Sequence, residues 1–475
     1  MPNHNKTKIV ATLGPATDTK EILTELASSG VNVFRINFSH ADYEDVEKKV
    51  KIIREINKEK GYNVAILADL QGPKLRVGVM EDDVILEDGD MFTFTTVKCI
   101  GTKEKAFMTY QRFPKDVKVG EAIMVDDGKL RFEVISTNKE NEVVVKVIVG
   151  GPLRSKKGVN LPNTDISLPA LTKKDMEDAV FAIGLEVDWF ALSFVRTPED
   201  LRMLRDLIAQ HSDYRIPIIA KIEKPEAVAN IDALIPYCDG LMVARGDLGV
   251  EIPMEDVPLI QKKLVRRAKR ARIPVIIATQ MMETMIDNPV PTRAEVNDVA
   301  NSIMDGADAV MLSGETSVGK FPIRVIQKMS EIIKAVENSK MIKVPQEPPH
   351  IRTNRFVTKS ICYHAALMAN DTEAAAICTL TNSGYTAFQI SSWRPRTHVL
   401  AFSTDKRILG KLNLLWGVRA FYYDKNLSTD DTVVDINNIA QEKGFVASGD
   451  ILINLVSMPA DARGMVNTLR VSEIE

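Results

Sequence analysis

The segment "AKIEKPE", residues 220 to 226, sets Lys221 two positions before Glu223, and "ARGDLG", residues 244 to 249, places Asp247 between Gly246 and Gly249. On an extended strand residues two apart face the same side, so Lys221 and Glu223 project together. Glu223 and Asp247, with no histidine suited to a zinc-type site beside them, are the oxygen donors that Mg2+ accepts together with water and substrate oxygens. A lysine ammonium beside them is a compact positive charge for a transferring phosphoryl group. Arg35 and Arg76 can clamp further phosphate oxygens bidentately. Gly246 and Gly249 let backbone N–H groups approach an anion closely. A further stretch, "ILADLQGPKLRVG" at 66 to 78, sets Asp69, Lys74 and Arg76 around a Gly72-Pro73 turn.

These residues sit where short β-branched runs end. The runs begin at 8 ("KIVATLGP"), 33 ("VFRINFSH"), 64 ("VAILADLQGP"), 188 ("DWFALSFVR"), 216 ("IPIIAKIEKP"), 240 ("GLMVARGDLG"), 274 ("PVIIATQMMETM") and 309 ("AVMLSGET"). Helical periodicity lies between most of them, which predicts a parallel (β/α)8 barrel. In "EDVPLIQKKLVRRAKRARIP" a helix is expected, capped by Asp256, with Pro258 in its first turn and Ile260, Leu264, Ala268 and Ala271 as its apolar stripe. Closure of the barrel would bring Arg35, Asn37, Ser39, Asp69, Arg76, Lys221, Glu223, Asp247 and Thr279 to the rim where such barrels carry their active sites. His40, also at this rim, is suited to general base catalysis by type and equally to orienting a loop.

The alternation fails after the third run. Some 95 residues of strand-and-turn text follow, as in "EAIMVDDGKLRFEVIS" and "NEVVVKVIVGG". An all-β lid inserted into a barrel loop accounts for them. "KVPQEPPH" at 343 to 350 reads as a linker, and helix and strand alternate again beyond it. The expected domains are therefore a barrel from 1–72 and 170–343, a lid at 73–169, and a C-terminal α/β domain at 344–475. In that last domain "TLTNSGYT" reads as strand, hydroxyl-rich turn and helix, a phosphate cradle built from Thr381, Asn382, Ser383, Gly384 and Thr386.

At 475 residues, two or three domains are expected, and a net charge of −3 offers no general field for polyanions. Four scattered cysteines suggest neither a disulfide framework nor a thiolate zinc site, and no apolar run reaches membrane-spanning length, so a cytoplasmic protein without membrane or nucleic-acid partners is expected. The triplet "RGD" at 245 to 247 falls at a strand end rather than in an adhesion loop. The basic run "KKLVRRAKR" lies in an amphipathic helix without interleaved aromatics and reads as a solvated face. No Walker or dinucleotide glycine motif is present.

Taken in order, "TLGPAT", "RINFSH", "ADLQGPKLR", "KIEKPE", "MVARGDLGVEIP", "IIATQMMETM", "PTRAEVNDVAN" and "MLSGETSVGKFP" resemble the landmark segments of the pyruvate kinase family, over residues 6 to about 338. "TLTNSGYTAF" and "WRPRTHVLAFS" extend the likeness more loosely. The resemblance implies transfer of a phosphoryl group from phosphoenolpyruvate to ADP, giving pyruvate and ATP, in a homotetramer. It assigns Lys221 to the transferring phosphoryl group and Glu223 and Asp247 to Mg2+ or Mn2+. Backbone N–H groups of Gly246 and Asp247, with Thr279, would receive the substrate carboxylate, and Thr279 would join the relay that protonates the enolate. Arg35 and Arg76 would bind phosphate, while Asn37, His40, Arg76 and Lys174 would face the nucleotide. A different Mg2+-dependent barrel acting on pyruvate enolate, or an inactive metabolite sensor, are the competing readings.

Two departures from the family pattern matter. Many members bind K+ through an aspartate, Asn and Ser of the first strands and carry "DTKGPE"; here the text is "DLQGPK". Lys74, beside Asp69, Asn37 and Ser39, would replace the ion, so K+ is not expected to be required. Asn382 stands where fructose-bisphosphate-regulated animal forms carry Lys, so a monophosphate-type sugar or nucleotide effector, or weak regulation, is expected.

Overall fold

The computed structural model describes residues 5–339, 341–342, 348–349, 354–425, 427–458 and 465–475, with the His40 side chain outside the description. Most of the proline-rich linker lies outside these residues too. Eight parallel strands close into a barrel: β1 (Lys8–Thr12), β2 (Val31–Asn37), β3 (Ala65–Asp69), β4 (Trp189–Leu192), β5 (Ile218–Ile222), β6 (Gly240–Ala244), β7 (Val275–Ala278) and β8 (Ala309–Leu312). Closure is made by β1 on β8, with Lys8 opposite Ala309. All eight expected runs are strands. They read as nearly continuous apolar text because one face fills the barrel and the other meets the helices, leaving β3, β5 and β6 buried throughout.

The helix Val257–Ala271 forms with Pro258 in its first turn, but Asp256 does not cap it. A 3-10 turn over Met254–Asp256 runs directly into the helix, which puts Asp256 in a helical conformation rather than the extended one a cap needs, and its side chain makes no capping hydrogen bond. The stripe is also rotated: Gln261, Leu264, Val265, Ala268 and Lys269 are buried, while Ile260 and Ala271 are only half-buried. The basic run is not simply a solvated face. Lys262 pairs with Asp305 and Lys269 with Asp308.

A six-stranded sheet and a two-stranded ribbon follow β3. Their core, built on Phe92, Phe94, Phe113 and Phe132, runs from Leu75 to Ile166 and is separate from the barrel core, which resumes at Ala170. Gly72 makes the exit from β3 possible. Its φ of 70° is left-handed, and a Cβ there would lie 2.8 Å from the Phe194 ring.

The C-terminal domain is a five-stranded sheet: parallel Val418–Tyr422, His398–Ser403, Ala376–Leu380 and Ile451–Val456 in spatial order, with Thr468–Glu473 antiparallel at one edge. It is docked on the barrel's N-terminal end. Leu414 packs among the inward-facing residues of the strands, beside Val10, Leu67 and Trp189, and closes the barrel floor. Around it, Asn413 donates to the carbonyls of Asn32 (2.9 Å) and Asn63 (2.8 Å), and the buried Lys8 ammonium donates to the carbonyl of Val418 (2.7 Å). Arg394, almost fully buried, pairs with Asp308 at 2.8 Å and lies over the Trp416 ring.

Candidate active site

The strand register decides which side chains meet at the rim. Asp69 is the last residue of β3 and lies opposite Asn37 on β2 and Ala191 on β4. Lys221 and Glu223, at the end of β5, share a side as the pleat requires, with the ammonium 2.9 Å from Glu223 Oε1. The same ammonium lies 3.2 Å from Asp69 Oδ1, and Arg35 Nε lies 2.6 Å from Asp69 Oδ2. Arg35 also donates to Thr12 Oγ1 at 3.0 Å. A charge lattice of two cations and two carboxylates thus closes one side of the rim.

Its protonation follows from its geometry. Burial would lower the Lys221 pKa, but the charges of Asp69 and Glu223 outweigh it and hold the ammonium above its ordinary range. Burial would raise Asp69, and Lys221 and Arg35 reverse that effect. Glu223 goes the other way: burial first, with the nearby charge of Asp247, raises it against the pull of Lys221. Among the described residues no cluster of three metal-ligating side chains occurs. A crowded carboxylate pair short of positive charge nonetheless fits a divalent cation that completes its shell with water and substrate oxygens. Asp69 Oδ1 is likewise buried without a hydrogen bond despite the neighbouring ammonium.

Asp247 lies on the helix Arg245–Glu251 that begins directly after β6. The Gly246 N–H donates to Thr279 Oγ1 at 2.7 Å, and that hydroxyl donates to the Ala278 carbonyl at 2.5 Å. Thr279 and Gln280 have φ of 72° and 54°, a conformation that costs a non-glycine residue of order 1–3 kcal/mol. Arg245 holds this turn, donating to the Thr279 carbonyl at 2.7 Å while pairing with Asp298 at 2.7 Å.

Other expected residues lie further out. Asn37 accepts from the Ser39 N–H at 3.2 Å and so caps its own loop. Lys174 reaches the Phe38 carbonyl (3.1 Å) and Asp178 (2.5 Å), beside the β2 loop rather than in the lattice. Arg76 belongs to the lid, with Nη1 donating to the Lys156 carbonyl at 3.0 Å. The expected Lys74–Asp69 contact is not made. The Gly72-Pro73 turn carries the chain away, and Lys74 is exposed in the cleft between lid and barrel, without an ion pair among the described residues. In the C-terminal domain Thr381, Asn382, Ser383 and Thr386 line a cavity of about 390 Å3 with Arg355 and Tyr385. Gly384 adopts the left-handed conformation that turns the loop into its helix, and its N–H donates to Thr381 Oγ1 at 3.0 Å.

Sequence reasoning missed Ser193 and Phe194. Lys221 donates to Ser193 Oγ at 2.6 Å, and Ser193 donates onward to the Leu70 carbonyl at 2.7 Å, which fixes the ammonium's direction. The Phe194 N–H donates to Glu223 Oε2 at 2.7 Å. The available signal was the break in "FALSFVR", where a serine interrupts apolar text at a strand end.

A (β/α)8 barrel with carboxylates, a buried ammonium and an arginine at its C-terminal rim defines a phosphotransferase type of site. The family model for the pyruvate kinase barrel domain matches residues 4–326, and that for the pyruvate kinase alpha/beta domain matches residues 359–472. Pyruvate kinase 2 of a Synechocystis species is 42% identical over 478 residues, covering 100% of this chain and 80% of that protein. Pyruvate kinase of Corynebacterium glutamicum is 41% identical over 467 residues, covering 98% and 97%. The crystal structure of a pyruvate kinase from Cryptosporidium parvum superposes with a TM-score of 0.92 at 32% identity, covering 99% of this chain and 97% of that one. The chain belongs to the pyruvate kinase family and is a phosphotransferase.

Proposed function

We propose that the chain moves the phosphoryl group of phosphoenolpyruvate to ADP, with Lys221 as the group that stabilises it in flight. The observation that carries this reading is the buried Lys221 ammonium, held charged between Asp69 and Glu223 and aimed by Ser193. Glu223 and Asp247 would hold Mg2+ or Mn2+, which supplies charge neutralisation to the phosphate oxygens when bound. Arg35 orients the substrate phosphate, and Arg76 approaches from the lid. Thr279 would join the relay that protonates the enolate, and its hydroxyl, which now accepts the Gly246 N–H, would release it for that amide to receive the substrate carboxylate. Asn37 and Lys174 would face the nucleotide on the β2 side; the His40 side chain, also assigned to it from the sequence, lies outside the described residues. A lid taken to span 73–169 shields the transfer from water.

K+ independence is part of this proposal. Lys74 would supply the charge of the monovalent cation when lid motion carries it toward Asp69, Asn37 and Ser39. A pyruvate-formation assay with phosphoenolpyruvate, ADP and Mg2+ tests both readings. Wild-type rates in K+ and in a large organic cation are expected to agree within about twofold, and Lys74→Glu is expected to gain a K+ requirement of about tenfold. Strong stimulation of the wild type by K+ would remove the role of Lys74, and no activity in either salt would remove the kinase reading.

The loop Thr381–Thr386 would receive an effector phosphate at its helix N-terminus. Asn382 in place of a cation favours a monophosphate ester of a sugar or nucleotide. In a screen of phosphate esters, monophosphates are expected to shift the phosphoenolpyruvate KM; activation by fructose 1,6-bisphosphate alone would refute this. Assembly as a homotetramer belongs to the same reading and rests on the family likeness. No helix of the described residues is long and apolar enough to cross a membrane, and a cytoplasmic setting suits the free cysteines.

A further inference from the structure

Among the described residues, three sets of hydrogen bonds tie the lid and its hinge to the barrel. Two lie at its hinge. The Gly72 N–H donates to Asp175 Oδ1 at 3.0 Å, and the Arg196 guanidinium donates to the carbonyls of Ile166 and Leu168 on the returning limb. The third lies deeper in the lid, where Asn160 Nδ2 donates to Glu251 Oε1 at 2.8 Å. Asn160 belongs to the short strand Val159–Asn160 that pairs with the lid sheet at Met124 and Val125. This bond therefore grips the body of the lid and not its hinge.

The partner of Asn160 is placed on the catalytic floor. Glu251 ends the helix Arg245–Glu251, four residues after Asp247 and hence on the same helical face. Its Oε1 also takes the Lys224 ammonium at 2.7 Å, and Lys224 is the residue next to Glu223. One carboxylate oxygen thus joins three segments: the lid, the chain after Glu223 and the helix of Asp247. Both charged side chains are buried, at 7% and 0% exposure. A buried ion pair recovers little stability once desolvation is counted, so stability alone does not account for it. The second oxygen, Oε2, is buried with no hydrogen-bond partner, so the hold on the lid is a single bond shared with Lys224.

We propose that Asn160, Glu251 and Lys224 form a latch that registers the lid against the two segments carrying Glu223 and Asp247, and that they act as positioning residues for phosphoryl transfer. The inference rests on the assignment of Glu223 and Asp247 under the proposed function. When the lid is latched, groups it contributes to the nucleotide are set in fixed relation to the carboxylates. When the single Asn160 bond opens, the lid swings on its two hinge contacts while the Lys224–Glu251 pair keeps the floor intact.

Asn160→Ala and Asn160→Asp test this, with amide hydrogen exchange on the ligand-free protein and steady-state kinetics for both substrates. Asn160→Ala is expected to speed exchange at 159–161 and at 245–251, and to lower kcat/KM for ADP about tenfold while the phosphoenolpyruvate KM stays within about twofold. Asn160→Asp, which sets a carboxylate against Glu251, is expected to exceed the alanine effect, a ranking that simple loss of packing does not produce. Wild-type exchange and kinetics in both variants would overturn the latch. Glu251→Gln adds a check on the ion pair, and if it does not fold the Asn160 variants decide alone. A wild-type chain inactive toward phosphoenolpyruvate and ADP would fell the kinase reading, and exchange in the ligand-free variants would still decide the latch.

Discussion

Lys221→Met is expected to lower kcat by about 10³-fold, with the KM for phosphoenolpyruvate changing far less. The ammonium is buried and already charged in the resting site, so it pays no reorganisation when negative charge develops on the phosphoryl oxygens. Removing it also strips Asp69 and Glu223 of a shared counter-ion, and those carboxylates respond by binding protons or drawing in a metal. Lys221→Arg restores charge without restoring the rate, because the ammonium fits a fixed point 2.6 Å from Ser193 Oγ that a planar guanidinium cannot occupy alone. Steady-state kinetics with a melting curve for each variant separate catalysis from folding. A methionine variant retaining more than about a tenth of wild-type kcat would move the role elsewhere.

Asp308→Ala is expected to weaken the protein by about 3–5 kcal/mol in the unit formed by the barrel floor and C-terminal domain, because it leaves the buried Arg394 cation, and Lys269 wherever it is protonated, without their carboxylate. One carboxylate cannot satisfy both. Burial, followed by the Arg394 charge, pushes the Lys269 pKa down to about 7 against the pull of Asp308. Asp308 moves down as well, since its two cations outweigh its burial. The shifts are consistent: the pair gains from the carboxylate's charge and pays for the second cation. In the unfolded chain Lys269 keeps an ordinary pKa near 10.5, so between about pH 7 and 10.5 the unfolded state binds the extra proton. Stability therefore rises with pH across that window, by up to about 1.4 kcal/mol per unit from this group. Lys269→Met, which fills the space without the charge, is expected to remove that slope in denaturant titrations from pH 6.5 to 9.5. An unchanged slope would show that the ammonium is not the group responsible.

The barrel was legible because each parallel strand is apolar on both faces and stops at a polar rim, so strand and active-site position are written in the same few letters. Lys221 and Glu223 could be paired from their spacing alone, since the pleat is local. What depended on distant partners was not legible. Lys74 follows Asp69 by five residues, yet the left-handed turn at Gly72 separates them. Ser193 and Phe194 reach the site through strand order, which spacing does not contain. The basic run around Lys269 looks solvated until Asp308 and Arg394, 39 residues and more away, are brought beneath it. Asp256 failed as a cap for a local reason, a 3-10 turn that propensity does not separate from a helix start.

Leu414 sets a condition on biosynthesis. During translation the eight strands leave the ribosome within the first 312 residues, and the barrel can close as soon as β8 meets β1. Its floor remains open for roughly a hundred residues more, until Leu414 and the flanking Asn413 emerge and seal it. The nascent barrel is thus a cup with a hydrophobic, water-accessible base, and the last domain made supplies the stopper. A chain halted before that point lacks the side chain that packs against Val10, Leu67 and Trp189, so completion of the barrel core waits on the last domain made.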